Sequence, residues 1–285
     1  MRLPPFELHA PASVEEATEL LERFGDDAAV YSGGTELLLL MKLGFAEPRH
    51  LVDVKGISEL RGLEAGDGIL AVGGAVTHRE IERSALVRER WAALAVMERS
   101  VANVRVRGAG SLGGNLCFSD PHSDPATFLL AAEGEVVLRR GRDGRRTLPV
   151  SDFVRGPYET ALGPGELLSA VRVPELPPGA ALVHKKLAFH ERPAVTVSCL
   201  ARVEKGAVAE ARIAVGSVGL VPVRASAAEA LLLGSPGDAA IEAAGQAAAD
   251  ASAPVADMNG SVEYKHNLVR VLVGRTFREA LGRAT

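Results

Sequence analysis

Behind Ser13, apolar residues recur at helical spacing, with Leu20, Leu21 and Phe24 on one face. Ser13-Val-Glu-Glu16 reads as a capping box and Gly25 as the stop, which predicts a helix between them. Ala28–Tyr31 is a short buried strand by length and composition. It breaks at Ser32-Gly33-Gly34, and Thr35–Met41 has the propensity of a helix start. His50–Val54 reads as a second strand, so residues 1 to about 55 form a small α/β unit: strand, glycine turn, helix N-terminus.

The pattern then changes. Gly62–Glu64 and Gly68–Gly73 flank Ala65-Gly66-Asp67 as a hairpin, and Thr77-His-Arg-Glu80 is a second capping box. A helix is predicted from about Leu86 to Val101, followed by the glycine-dense Arg107–Asn115. Next come Ser119–Asp124, a helix to Ala132 and a strand Glu135–Arg139, with Asp143-Gly144 as the turn into Arg146–Val150. From about residue 166 the chain resets. Leu167–Val173, Ala194–Val203 and Val208–Val218 read as antiparallel strands, the last two joined across Glu204-Lys-Gly206. Two Ala-rich helices and an amphipathic one, about Val262–Leu281, close the chain. Strands in runs with helices grouped apart predict an α+β fold rather than a doubly wound sheet.

Composition narrows the function classes. Of 285 residues, 47% are hydrophobic and 24% charged, which excludes disorder and supports two or three cores. A net charge of -4 gives no electrostatic footprint for nucleic acid. Arg2 is followed by Pro4, Pro5 and Glu7, so no signal peptide is expected. The apolar run Leu37–Met41 ends at Lys42, far short of the ~20 residues of a membrane span. Cys117 and Cys199 alone cannot build a disulfide framework or hold an iron–sulfur cluster, so the expected compartment is the cytoplasm.

Two segments carry candidate chemistry. Ser32-Gly33-Gly34-Thr35-Glu36 lets a bare backbone approach a ligand while the following helix points its free N–H groups the same way, as a pyrophosphate seat requires. The same residues also suit a plain strand-to-helix turn with Thr35 as cap. Gly110-Ser-Leu-Gly-Gly-Asn115 repeats the idea, and two such loops would grip the two phosphates of a dinucleotide from opposite sides. Gly108-x-Gly110-x-x-Gly113 satisfies the Rossmann fingerprint in letters, but Gly114, Asn115, Pro121 and Pro125 interrupt the long helix it needs, so that site is rejected.

The remaining polar clusters are weaker signals. Asp120, His122 and Asp124 alternate as metal ligands could, but no fourth ligand is nearby. The preferred reading gives one aspartate to a ribose or adenine and the others to capping the next helix, with no metal. The arginines of 139–146 read as a solvated hairpin tip, with docking to an acidic partner as the lesser alternative. Lys185-Lys186 lies on a strand that must turn one lysine inward, which hints at an anionic cofactor. Cys117 reads as a small buried hydrophobe.

In combination, Ser32–Leu37, Leu51–Val54, Arg107–Asn115, Ser119–Asp124, Glu166–Pro174 and Ser261–Lys265 resemble the FAD-binding medium subunit of molybdenum hydroxylases, of the carbon monoxide dehydrogenase and xanthine dehydrogenase type. The resemblance runs nearly end to end. It implies a two-lobed FAD-binding domain over 1–175 (lobes about 1–55 and 56–175, of the PCMH type). A C-terminal α+β domain over 176–285 would follow, with a three-stranded antiparallel sheet and helices.

It also implies FAD in the cleft between the lobes. Ser32, Gly33, Gly34, Thr35, Glu36 and Leu37 match the first pyrophosphate loop, and Ser111, Leu112, Gly113, Gly114 and Asn115 the second. Asp124 matches an FAD-contacting aspartate, Leu168 a flavin contact, and Lys186 a flavin-side lysine with Lys185 as fallback. The aromatic residue that some members place against the flavin falls near Val101 here, and the cluster cysteines of the hydroxybenzoyl-CoA reductases are missing. The resemblance further implies electron transfer from an iron–sulfur partner through FAD to an external acceptor, with no catalytic side chain in this chain. Partners would be a molybdopterin-containing large subunit and a [2Fe-2S] small subunit. A stand-alone FAD oxidoreductase and a non-catalytic nucleotide-binding protein are the competing readings.

Overall fold

The computed structural model describes residues 2–189 and 192–284. Its first lobe contains β1 (Glu7–His9), α1 (Val14–Phe24), β2 (Ala28–Tyr31), α2 (Leu37–Leu43) and β3 (His50–Asp53). The three strands form a parallel sheet in the order β1-β3-β2. Helix α1 starts as expected: the Glu16 N–H donates to Ser13 Oγ at 3.1 Å. Its box closes one residue early, because the Glu16 carboxylate accepts from the Ala12 N–H. Val14 and Ala17 are fully buried against Val52, Val54 and Ile57, while Leu20 and Leu21 pack at the margin.

The second lobe runs through β4 (Leu63–Gly66), β5 (Ile69–Gly73), α3 (His78–Arg83), α4 (Ala85–Arg90), α5 (Ala92–Ser100), α6 (Val104–Ala109), α7 (Leu112–Phe118) and α8 (Asp124–Ala132). It continues with β6 (Glu135–Arg140), β7 (Gly144–Pro149), α9 (Val150–Phe153), β8 (Val154–Gly156), β9 (Glu159–Thr160) and β10 (Leu167–Pro174). Its sheet has the order β4-β5-β10-β6-β7, with β8 and β9 paired apart.

Three expectations need correction here. Strand β10 does not open the last unit but fills the centre of this sheet, between β5 and β6. Its partners lie far away in sequence, and no local pattern reveals them. The helix expected over 86–101 is two helices, broken at Trp91, whose indole N–H donates to the Val173 carbonyl at 3.1 Å. The β6–β7 turn is Gly141–Asp143 rather than Asp143-Gly144: Arg140 pairs with Gly144, and Gly141 takes the left-handed conformation at φ 56°.

The last unit comprises β11 (Ala180–Ala188), β12 (Pro193–Glu204), β13 (Ala207–Gly216), β14 (Val223–Arg224), α10 (Ser226–Ala230), α11 (Asp238–Ala251) and α12 (Val262–Ala284). Its sheet has four strands rather than three, in sequence order, because the two-residue β14 pairs with β13 at Ala214 and Val215. So short a pairing leaves no periodic signal. Strand β12 is buried from Pro193 through Ala201 because helices cover both its faces. Val197 and Cys199 face the core built by Val273 and Phe277 of α12, whereas Leu200 joins the core of the second lobe with Phe128 of α8. The last unit thus shares a core with the second lobe.

Phe277 is fully buried in the last unit's own core, between α12 and β12. Phe277→Ala should destabilise the protein by about 3–5 kcal/mol through lost transfer energy and a residual cavity, read from the urea midpoint at unchanged slope.

Candidate cofactor cleft

The three units meet around a cavity of about 390 Å³, within the range of small-molecule and cofactor sites. One wall is the turn between β2 and α2. Gly33 lies so close to the second lobe that a Cβ there would stand 2.3 Å from the Ala109 carbonyl oxygen and 2.6 Å from the Gly110 Cα. Gly34, at φ 67°, turns the chain into the helix. Ser32 Oγ and Ser111 Oγ hydrogen-bond at 3.0 Å, so the two candidate loops touch each other directly.

Helix α2 begins with Glu36 at its cap position and no side-chain cap bond, and Thr35 therefore does not cap it. Helices α1, α3, α7 and α8 each have such a bond. The Leu38 N–H in this first turn donates to the Gly34 carbonyl at 3.1 Å, but no side chain occupies the helix start, which favours an anion there electrostatically.

The second segment is not a loop. Ser111 caps α7, with the Gly114 N–H donating to its Oγ at 3.1 Å, so Gly113 and Gly114 form the first turn of a helix. The segment read as a glycine loop is thus a short helix, although the long helix excluded by its glycines and prolines is indeed absent, because α7 ends at Phe118. The Rossmann fingerprint still fails, because helix α6 rather than a strand precedes it and α7 spans seven residues. A Cβ on Gly113 would meet the Gly74 carbonyl oxygen at 2.5 Å, so this glycine seats α7 on the sheet. Gly114 is exposed on the cleft wall, where a Cβ would meet Ser111 Oγ alone, at 3.0 Å. Leu112 does not line the cleft: its side chain is fully buried in the second-lobe core, and its N–H donates to the Val76 carbonyl.

Ser32 through Leu37 line the cavity, as do Ser111, Gly113, Gly114, Asn115, Asp124 and Leu168. Lys186 does not. Its Nζ donates to Asp124 Oδ2 at 2.7 Å, and His184 Nε2 stands 3.3 Å from Oδ1. Alternation requires one lysine to turn inward without saying which; the structure turns Lys186 inward, while Lys185 pairs with Glu279 on the opposite face at 2.5 Å. The anion that Lys186 meets is Asp124, a side chain of this protein.

The alternating acids do not converge on a metal position. Asp120 turns to Arg192 at 3.0 Å, and His122 Nδ1 to the Pro193 carbonyl at 2.8 Å. Ser123, rather than an aspartate, caps α8; it also donates to Asn115 Oδ1 at 2.6 Å, which fixes that amide on the wall.

Several lining residues were not foreseen. Phe118 sits one helical turn beyond Gly114, a position that becomes visible only when the segment is read as helix. It meets Tyr158 edge-on at 5.1 Å, whereas Val101 brings no aromatic ring. His78, within the correctly read capping box, reaches the buried Glu98 at 2.6 Å. Cys117 also lines the cavity; burial pushes its thiol up to about 12, so it stays protonated and is no nucleophile. Glu166, at the cavity rim, accepts from the Arg146 guanidinium at 2.6 Å and from the Gly163 N–H at 2.6 Å. The Arg146 hydrogen bond, opposed by partial burial, holds the Glu166 carboxyl below the usual carboxylate range.

Residues 4–176 match the family described as the FAD binding domain in molybdopterin dehydrogenase, and residues 190–280 the CO dehydrogenase flavoprotein C-terminal domain. The carbon monoxide dehydrogenase medium chain of Hydrogenophaga pseudoflava is 34% identical, over 98% of both chains. The nicotine 6-hydroxylase medium subunit of Paenarthrobacter nicotinovorans is 33% identical, over 98% of this chain and 99% of that one. The solved carbon monoxide dehydrogenase of Hydrogenophaga pseudoflava contains a chain that superposes with a TM-score of 0.95 at 35% identity, covering 100% of this chain and 99% of its own.

The chain therefore belongs to the FAD-binding subunits of the molybdopterin-dependent dehydrogenases. It is an oxidoreductase flavoprotein subunit of the CO and xanthine dehydrogenase type, its cofactor is FAD, and its relatives are subunits of larger complexes. No helix among the described residues is long and apolar enough to cross a membrane.

The cleft geometry separates two kinds of glycine. Gly114→Val should cut flavin content at least tenfold with little change in the unfolding midpoint of the flavin-free protein, whereas Gly33→Val should lower both, measured by the flavin absorbance ratio and thermal melts. The Glu166 pair adds a pH signature. Its stabilisation is complete above the unfolded carboxyl's pKa of roughly 4.3 and is lost as pH falls through the lower folded value. The stability gap between wild type and Arg146→Met should therefore be widest near neutrality and shrink in acid.

Proposed function

We propose that this chain is the electron-transfer flavoprotein of a three-component molybdenum hydroxylase. It would take electrons from a [2Fe-2S] small subunit, which a molybdopterin-containing large subunit supplies, and pass them to an external acceptor. The observation that carries this reading is the direct contact of the two glycine segments around one continuous cleft, sealed by the Ser32–Ser111 hydrogen bond at 3.0 Å. Bound FAD supplies two-electron storage with one-electron exchange.

The chain's residues hold and tune that group. Ser32, Gly33, Gly34, Thr35, Glu36 and Leu37 offer the uncapped start of α2 to one side of the diphosphate, and Ser111, Gly113, Gly114 and Asn115 offer the start of α7 to the other. Leu112 contributes as an anchor, because its burial and its bond to Val76 fix the turn that carries Gly113. Leu168 forms an apolar wall at the flavin, and Asp124 a polar one. Lys186 acts through Asp124 rather than by contact: the ion pair keeps that wall close to neutral beside the flavin. No side chain here acts as general acid or base.

The domain division that fits this role is 1–175, with lobes about 1–55 and 56–175, followed by 176–285. Relatives named for carbon monoxide and for nicotine match at nearly equal identity, which supports a substrate pocket on another subunit. Free thiols at Cys117 and Cys199 suit a reducing cytoplasm.

The purified chain should bind FAD, turn yellow, and be reduced by the complex's substrate only when both partner subunits are present. Rapid reduction by an organic donor in their absence would instead establish the stand-alone oxidoreductase. Lys186→Met removes the ammonium partner of Asp124, leaving only His184 beside it, and should lower the flavin midpoint potential. Asp124→Asn should raise it, and the double variant should return close to wild type. Unmoved potentials in a spectroelectrochemical titration would take this pair away from the flavin ring.

A further inference from the structure

Away from the cleft, on the outer side of the first lobe, three ligand-type side chains converge. Glu7 and His9 lie two residues apart on β1 and so on one face of the sheet, and His50 opens the neighbouring parallel strand β3, directly opposite Glu7 in register. His9 Nε2 stands 3.0 Å from His50 Nδ1. Glu7 Oε1 is 3.9 Å from His9 Nε2, and Glu7 Oε2 is 3.6 Å from His50 Nδ1.

A tetrahedral ion with bonds of about 2.0–2.1 Å holds its ligand atoms about 3.3 Å apart. The two imidazole nitrogens stand just inside that value and each carboxylate oxygen just outside it from one imidazole, so an ion could enter with a rotation of the exposed Glu7 carboxylate that brings one oxygen to both rings. The imidazoles are prearranged: Phe24 stacks on His50 at 3.7 Å with a 14° interplanar angle, and on His9 at 5.0 Å. Both rings are largely covered while the carboxylate is exposed, which leaves a fourth coordination position open to water. The ligand atoms of all three lie within 4.8 Å of one another, and no other group of three or more such residues does so among the described residues. His78, His184 and His266 are each committed to a carboxylate elsewhere.

We propose that Glu7, His9 and His50 form a binding site for a borderline divalent transition-metal ion, of which Zn²⁺ best fits two imidazoles and one carboxylate. The ion would cross-link the three-residue edge strand β1 to the centre of its sheet. None of these residues lines the cofactor cleft, so the proposal stands independently of the FAD reading.

The test uses the full chain with its FAD, stripped of metal by chelator and titrated with Zn²⁺ by calorimetry. Wild type should bind one equivalent, and saturating Zn²⁺ should raise the unfolding midpoint. His9→Gln and His50→Gln should each weaken binding at least tenfold and abolish the thermal shift while flavin content stays at the wild-type level. Absence of saturable binding to wild type would overturn the site. So would equal affinity and stoichiometry in both variants, which would mark an adventitious ion only.

Discussion

Backbone-to-backbone contact between Gly33 and the Ala109–Gly110 peptide is the constraint on which this structure depends. A single Cβ at position 33 would fall 2.3 Å from the Ala109 carbonyl oxygen, well inside contact distance. The contact lets two lobes with separate cores bring two helix starts to one cleft, and the Ser32–Ser111 hydrogen bond fastens them. Helix starts are the parts of a protein that gather unsatisfied N–H groups and positive potential. The two starts differ: no side chain caps α2, whereas at α7 the Leu112 N–H donates to the Val76 carbonyl and the Gly114 N–H to Ser111 Oγ, so the proposed diphosphate seat leans more on the α2 side.

The second wall follows a different logic. Asp124 is buried at the start of α8, where an isolated carboxylate would be costly. Lys186 and His184, both from β11, meet it across the boundary with the last unit. The same boundary carries the Thr127–Thr196 hydrogen bond at 3.0 Å and the two-sided burial of β12. The last unit therefore does more than cover the cleft: it supplies the countercharge that allows an acid to stand there. Arg192, just before β12, pairs with both Glu36 and Asp120 and so ties the first loop to this wall.

Much of the cleft was legible in the linear pattern. Consecutive glycines beside hydroxyl and amide residues marked both segments that line the cleft. Period-two alternation on β11 required one of Lys185 and Lys186 to turn inward, but only the ion pair with Asp124 shows that it is Lys186. Capping chemistry located the starts of α1 and α3, because Ser13 and Thr77 act on N–H groups three residues away. The errors have a common origin. Gly113 and Gly114 were read by propensity as loop, whereas tertiary contact of α7 with Gly74 and capping by Ser111 make them helical. Phe118 went unnoticed for the same reason, since its place on the cleft wall follows from that helix.

Local periodicity, turn residues and caps determined the α+β character, the helix starts and the two glycine segments, because each acts over a few residues of chain. Tertiary structure alone decided that β10 sits mid-sheet, that Leu112 is core rather than cleft, and that Lys186 spends its charge on Asp124. Each of these depends on a partner tens of residues away, and neither burial nor ion pairing leaves a trace in the sequence until the chain has closed on itself.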